Sequence, residues 1–252
     1  KKASADGIQF RSGLEKHTYL ALKNAKWLVD NQFRTDGGLW RNHKNGTSNI
    51  EGFLEDYAHV ISAFISLYEI TLDESWLNKA NDLTRYSIDH FEDKNSRMFF
   101  FTDEKTSLIA RKMEVNDNVI PSSNSVMARN LFYISRYFKN DVFEEQAIQM
   151  LANVYDGMEM YGSGYSNWAI LLNHMVYGFY EFVVVGANAK IKHEELIAQR
   201  LPKVLFACST KESKVPIFQD KPLADEALIY LCTSRACFMP TEDVDRAIKV
   251  IQ

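Results

Sequence analysis

Apolar positions along this chain recur mostly at helical spacing. Leu14, Ala21, Ala25, Leu28 and Phe33 predict a first helix behind a capping box at Ser12 and Glu15. Asp36-Gly37-Gly38 ends it, and Leu39-Trp40-Arg41 reads as a short extended piece. Ser48 and Glu51 predict a second capping box, ahead of a strongly apolar helix with Phe53, Tyr57, Val60, Ile61, Phe64, Ile65 and Tyr68. Asp73 caps a two-faced helix: Trp76, Ala80 and Leu83 form one stripe, Lys79, Asp82 and Arg85 the other. Residues 98–101 and 108–112 predict a hairpin between helices. Pro121-Ser122-Ser123-Asn124 opens another apolar helix (Met127, Leu131, Ile134, Phe138), and Asp141 caps its partner, with Phe143, Ala147, Met150, Val154 and Met158 inward. After Gly162-Ser163-Gly164, a third apolar helix carries Trp168, Leu171, Leu172, Met175 and Phe179.

The helices therefore alternate between apolar nearly all round and two-faced, which an inner and an outer ring of helices would produce. A weak repeat runs alongside. Ile65-Ser66-Leu67-Tyr68, followed by Trp76 and Ala80, recurs as Ile134-Ser135-Arg136-Tyr137, followed by Phe143 and Ala147. Ala25, Trp27 and Phe33 match the second half of an earlier copy. Any two amphipathic hairpins share some of this pattern, so the alternative of chance similarity stands beside it.

After residue 181 the pattern changes. Phe182-Val183-Val184-Val185-Gly186 is a buried-strand signature; residues 191–200 predict a helix, residues 204–207 a second strand, and residues 227–231 a third. Pro240-Thr241 opens a last helix through Ile251. The expected organisation is a helical-hairpin portion over residues 1–180 and a small α/β segment over 181–252. Gly186-Ala187-Asn188 lacks the spacing of a phosphate-cradling loop.

Composition narrows the function classes. With 29 basic and 33 acidic residues the net charge is −4, without long runs, so no nucleic-acid or membrane partner is expected. No apolar run reaches transmembrane length, since the 168–186 stretch is broken by Asn173, His174, Tyr177 and Glu181. Aromatic residues make up 13%, with few breakers (5 Pro, 11 Gly), as suits a chain of large core pieces. Cys208, Cys232 and Cys237 are too few for a disulfide scaffold and suit a reducing, cytoplasmic compartment. Cys232 and Cys237 are expected as two buried strand cysteines; pairing them requires a turn at Ser234-Arg235. The six histidines show no metal-ligand spacing, and neither a metal nor another cofactor is expected.

Two acidic clusters are the candidate chemistry. Glu55-Asp56-Tyr57, preceded by Glu51, starts an otherwise greasy helix. Two carboxylates with separated pKa values can serve as acid and base on a sugar. Acids in a first turn also complement the helix dipole, and adjacent helical residues diverge by about 100°. Glu114, Asp117, Asn124 and Ser125 surround Pro121, in a loop of the kind that carries function on a rigid scaffold. N-capping by Ser122, Ser123 or Asn124 is the structural alternative there. Trp40, Trp168 and Tyr165 offer aromatic faces for sugar rings, or core packing.

Gly52-Phe53-Leu54-Glu55-Asp56-Tyr57-Ala58 followed by Ile65-Ser66-Leu67-Tyr68-Glu69, Pro121-Ser122-Ser123-Asn124-Ser125, Val183-Val184-Val185-Gly186, and Leu231-Cys232 through Cys237 and Pro240 occur in one order. That series resembles the conserved thioredoxin-domain-containing protein family, which takes in a spermatogenesis-associated thioredoxin-like protein of animals and bacterial relatives. The resemblance implies an (α/α)6 barrel similar to six-hairpin glycosidases and sugar epimerases, preceded by a thioredoxin-like domain. Three departures stand out. Glu55 replaces an Asp, Asn116-Asp117-Asn118 replaces Tyr-Asp-Gly, and Ser123 replaces a Gly. No Cys-x-x-Cys is present, so no redox chemistry carries over.

The expected fold is thus mainly α: an (α/α) toroid of helical hairpins, a partial six-hairpin barrel, with a small C-terminal α/β segment. A closed ring needs about twelve helices, or ~240 to 300 residues, whereas about six precede the sheet here. The N-terminal half of the barrel and the thioredoxin-like domain are therefore expected to lie outside this chain. The expected function is carbohydrate recognition or transformation. Asp56 would be general acid or base and Glu55 or Glu114 its partner; Tyr57, Asp117, Asn124, Ser125, Trp40 and Trp168 would contact substrate. The alternatives are a non-catalytic module that binds or scaffolds the thioredoxin-like domain or another protein, and redox activity of Cys232 and Cys237.

Overall fold

The computed structural model describes residues 13–105, 110–233 and 236–251. The expected cap at Ser12, part of the 108–112 arm and the Ser234-Arg235 turn lie outside them. Six helices precede the sheet among the described residues: α1 (Gly13–Gln32), α2 (Leu54–Thr71), α3 (Glu74–Phe91), α4 (Ser123–Phe138), α5 (Asp141–Met160) and α6 (Ser166–Val176). α2 and α3, and then α4 and α5, form antiparallel hairpins. α4 lies between α2 and α6, so the apolar helices are neighbours while α3 and α5 pack outside them. This is an arc of an (α/α) toroid, mostly helical, followed by a small sheet.

The repeat is structural. α2 and α4 each end in a left-handed residue, Leu72 and Lys139, whose N–H returns to Tyr68 and Ser135. The next residue then caps the outer helix: Asp73 accepts from the Ser75 amide, and Asn140 from the Phe143 amide. Asn140 thus takes the capping role expected of Asp141, which is the first helical residue. The repeat-equivalent Tyr68 and Tyr137 meet edge to face, 5.3 Å between ring centres.

Strands β1 (Tyr180–Val185), β2 (Val204–Ser209) and β3 (Leu228–Cys232) form one sheet in the order β2-β1-β3. β1 and β2 run parallel across the crossover helix α7 (Ala189–Ala198); β3 is antiparallel to β1. Both faces of β1 are covered. Val183 and Val185 join the helical core, while Phe182 and Val184 pack with α7 and α8 (Val244–Lys249). Gly186 has φ +140°, and a Cβ there would meet Ala227 Cα at 2.6 Å, so the strand end needs glycine. The last helix is shorter than expected, because Thr241 pairs with Ile229 and Asp243 supplies the cap. Cys232 and Cys237 form a disulfide, their Cα atoms 3.9 Å apart. That overturns the expectation of two unpaired strand cysteines, since the residues after β3 fold back and put Cys237 opposite Cys232.

Candidate functional site

α2, α4 and α6 all begin at the same end of the helical layer, and both acidic clusters sit there. The first is built by a hairpin that joins α1 to α2. Lys44 and Thr47 exchange backbone hydrogen bonds across Asn45-Gly46, both at positive φ (53° and 75°), the geometry of a tight β-turn. The returning strand places Trp40 opposite Glu51 and ties the Arg41 N–H to the Ile50 carbonyl. Ser48 and Glu51 are consumed in this hairpin. Ser48 Oγ donates to the Asn31 carbonyl and Glu51 pairs with Arg34 at 2.8 Å. They do not form the expected capping box; α2 starts at Leu54.

The hairpin delivers Arg41 to the first turn of α2. Its Nη1 lies 2.6 Å from Glu55 Oε1 and 2.9 Å from Asp56 Oδ2. The same Asp56 oxygen accepts the Phe53 N–H at 2.8 Å, capping the helix from its third residue. Adjacent carboxylates that diverge on the helix are thus joined through one guanidinium, which also sits 4.7 Å over the Phe53 ring. Burial raises the Asp56 carboxyl from its ordinary value; the Phe53 amide and Arg41 oppose this without cancelling it. Burial also works against the Arg41 charge, but the bond to Glu55 and the Asp56 charge hold its pKa above the ordinary value. A cleft of about 240 Å3 opens here, with Trp40, Arg41, Glu55, Asp56 and His59 on a floor that includes Leu39 and Val60. Arg34 lies 4.9 Å over the Trp40 ring.

The other candidates stand elsewhere. Tyr57 is buried, its hydroxyl accepting the Leu39 N–H at 2.8 Å and its ring stacked on Tyr86. Trp168 is fully buried and donates its indole N–H to the Val115 carbonyl, so it offers no face to a sugar. Asn124 mimics a strand neighbour: it accepts the Phe99 N–H and donates to the Phe99 and Glu114 carbonyls. Asp117 accepts from the Ser122 amide (2.9 Å), the Ser125 hydroxyl (2.7 Å) and the Asn167 amide (2.7 Å). It joins the starts of α4 and α6. Ser125 also accepts from Asn167 Nδ2. Asp117, Asn124 and Ser125 are all buried, so the expectation that they contact substrate is corrected by an interior network that uses their polar atoms. Glu114 is exposed and, like Asp117, does not line the Asp56 cleft.

Arg41 and His59 were not among the expected residues. Lys44-Asn45-Gly46-Thr47 carried a signal for Arg41, because an Asn-Gly turn folds the extended 39–41 piece back onto Glu51, beside the start of α2. No His, Cys, Asp and Glu grouping suited to a metal occurs among the described residues, and no described helix is long and apolar enough to cross a membrane.

No family model matches the chain. It is similar to spermatogenesis-associated protein 20 of Rattus norvegicus, 24% identical over 254 aligned residues that cover 92% of this chain and 32% of that protein. The Homo sapiens protein of the same name is 25% identical over 206 residues, covering 76% of this chain and 26% of its own length. An uncharacterized Caenorhabditis elegans protein is 23% identical, covering 83% of this chain and 29% of its own length. The chain thus spans about a third of the length of the curated relatives it matches. Among solved structures, a GH76 alpha-mannanase of Bacteroides thetaiotaomicron aligns with a TM-score of 0.44 and 15% identity, over 56% of this chain and 35% of that one.

Proposed function

We propose that the cleft between the 39–52 hairpin and α2 binds a small polyhydroxylated ligand of the carbohydrate class, with Asp56 exchanging a proton with it and Glu55 as the partner carboxylate. The observation that carries this is the Glu55–Arg41–Asp56 cluster opening beside Trp40 on an apolar floor. Carboxylates and a guanidinium match vicinal hydroxyls, an indole suits the apolar side of a pyranose, and a carboxyl raised by burial exchanges a proton closer to neutrality than an exposed one. The volume lies just under the ~300 Å3 lower end of ligand pockets, which favours a single ring over an oligosaccharide. The test is a panel of mono- and disaccharides titrated by NMR. The Trp40 indole resonance should shift on binding, and Asp56→Asn, which keeps an oxygen for the Phe53 amide, should weaken binding at least about tenfold. Unchanged binding of every sugar by Asp56→Asn would refute the assignment.

A second reading, a docking module, is favoured by an apolar groove between α1 and α2. Ala21, Ala25, Leu28, Val60, Ala63 and Ile70 line it, and Ile70 is 49% exposed. An inner helix of a toroid normally has that face covered by the preceding hairpin, and the longer relatives have chain to supply one. In this reading the occupant is a further α-hairpin of the barrel. Ala63→Arg should leave the stability of this chain within about 0.5 kcal/mol while destabilising a full-length protein by more than about 2 kcal/mol. Equal effects in both, measured by urea denaturation, would rule the docking out.

A further inference from the structure

A larger cleft, about 640 Å3, opens at the C-terminal end of α4, where the sheet meets the helices. Both sulfur-bearing residues of the disulfide, Cys232 and Cys237, line it. Cys232 ends β3 and is 2% exposed, whereas Cys237 is exposed and followed by Phe238 and Met239, 47% and 86% exposed. Glu181 of β1 is the register partner of Cys232 in the antiparallel pair. Side chains so paired share a sheet face, with Cβ atoms about 4.5–5.5 Å apart. Glu181 lines the same cleft and is 8% exposed.

The charged groups around Glu181 come from each neighbouring element. Arg136 of α4 is 3.9 Å away; Lys139 at the α4 end, Glu144 of α5 and Lys221 of the 219–221 loop also act on it. Asp141 and Asp220 line the cleft with them. Burial outweighs the pull of Arg136 and lifts the Glu181 carboxyl to about 7. Backbone hydrogen bonds hold the segment after β3 alongside the disulfide. Thr233 N–H donates to the Ala236 carbonyl, Phe238 N–H to the Leu231 carbonyl, and Thr241 and Ile229 exchange two backbone bonds.

We propose that Cys232 and Cys237 are a reversible dithiol–disulfide couple that exchanges with an external dithiol, and that Glu181 supplies the proton taken up by Cys232. A thiolate of the dithiol attacks the exposed Cys237 Sγ. A sulfur–sulfur bond forms to Cys237, the Cys232–Cys237 bond breaks, and its electron pair leaves on Cys232 Sγ, which takes the Glu181 proton. The second thiol of the reagent, deprotonated, attacks the reagent sulfur of the mixed disulfide and forms the reagent's own disulfide. Cys237 is released as a thiolate and protonated from solvent, and solvent through the cleft reprotonates Glu181. Two electrons and two protons pass from the dithiol to the protein. Phe238, which lines the cleft, forms the apolar rim against which a dithiol-bearing protein would rest. None of this depends on the carbohydrate cleft, which lies at the opposite end of the parallel inner helices.

The test reduces the folded chain with dithiothreitol at a series of pH values, quenches with acid, and counts thiols by maleimide trapping in denaturant and mass spectrometry. The count should rise from one, the buried Cys208, to three while the far-ultraviolet circular dichroism stays unchanged. An added small-molecule disulfide should return it to one. The ratio of wild-type to Glu181→Gln reduction rates cancels the ionisation of the reagent. It should be about tenfold below pH 7 and approach one above about pH 8. Reduction only when the chain unfolds, or a rate ratio independent of pH, would overturn the proposal. If Glu181→Gln fails to fold, the wild-type rate divided by the thiolate fraction of dithiothreitol must itself fall through an inflection near pH 7; a flat profile overturns the proton role equally.

Discussion

Asp117→Ala should lower the unfolding free energy by about 4 kcal/mol, the largest effect expected of a single polar substitution in the helical layer. The side chain accepts three hydrogen bonds, two of them from backbone amides at the starts of α4 and α6. Bonds to a charged acceptor contribute about 1.5–3 kcal/mol each, and truncation takes that acceptor from the Ser122 and Asn167 amides, while the Ser125 hydroxyl keeps the Ser122 carbonyl. Asp117→Asn keeps one acceptor oxygen and should cost roughly half as much. At this chain length the alanine variant corresponds to a melting-temperature drop of about 10 °C. Urea denaturation followed by circular dichroism measures it; a loss under about 1 kcal/mol would show that Asp117 does not join the two helices.

Glu69→Gln should change how stability depends on pH. Glu69 stands near the end of α2, where its Oε1 meets the Tyr137 hydroxyl at 3.1 Å and the Phe206 amide at 3.3 Å. Tyr137 also reaches the Phe206 carbonyl at 2.9 Å. The Tyr137 hydroxyl has one proton, shared between Glu69 Oε1 and the Phe206 carbonyl, so neither acceptor holds it alone. Burial raises the Glu69 carboxyl from its ordinary 4.5 to about 7, against the bonds from Phe206 and Tyr137. The folded state therefore binds more protons than the unfolded state between those values, and this group's contribution to stability is lost as pH rises through them. The stability of the wild type minus that of Glu69→Gln should fall by about 3 kcal/mol between about pH 4 and about pH 8. Glu181 shifts in the same direction but is present in both proteins, so the difference isolates Glu69. A difference independent of pH would show Glu69 ionised inside the fold.

Glu69 also shows how the repeat and the sheet depend on each other. The second copy of the repeat has Phe138 where the first has Glu69, and nothing within α2 accounts for a carboxylate there. Its partners lie far along the chain. The Phe206 amide of β2 donates to its side chain and His193 of α7 bonds its backbone carbonyl at 2.7 Å. The α/β segment is thereby joined to the helical arc at a polar point within an otherwise apolar contact.

Local periodicity determined much of the architecture. α2 through α6 follow from apolar residues three and four apart, the hairpin turns from residues able to cap and to adopt positive φ, and the parallel strand pair from two short apolar runs around a helix. Each depends on interactions within a few residues, which a sequence displays directly. The candidate acids Glu55 and Asp56 were legible for the same reason, as charges in the first turn of a greasy helix. What the tertiary structure alone decided is which polar atoms are free. Arg41 reaches Asp56 from 15 residues away and Asp117 reaches Asn167 from 50, so one cluster opens on a cleft while the other is used up inside the protein. Cys232 and Cys237 follow the same rule: their spacing permits pairing only if the chain reverses, and the register that places Glu181 opposite Cys232 belongs to the assembled sheet. A hydrogen bond or disulfide between distant residues leaves no periodic trace along the chain, because its geometry is set by how whole elements pack.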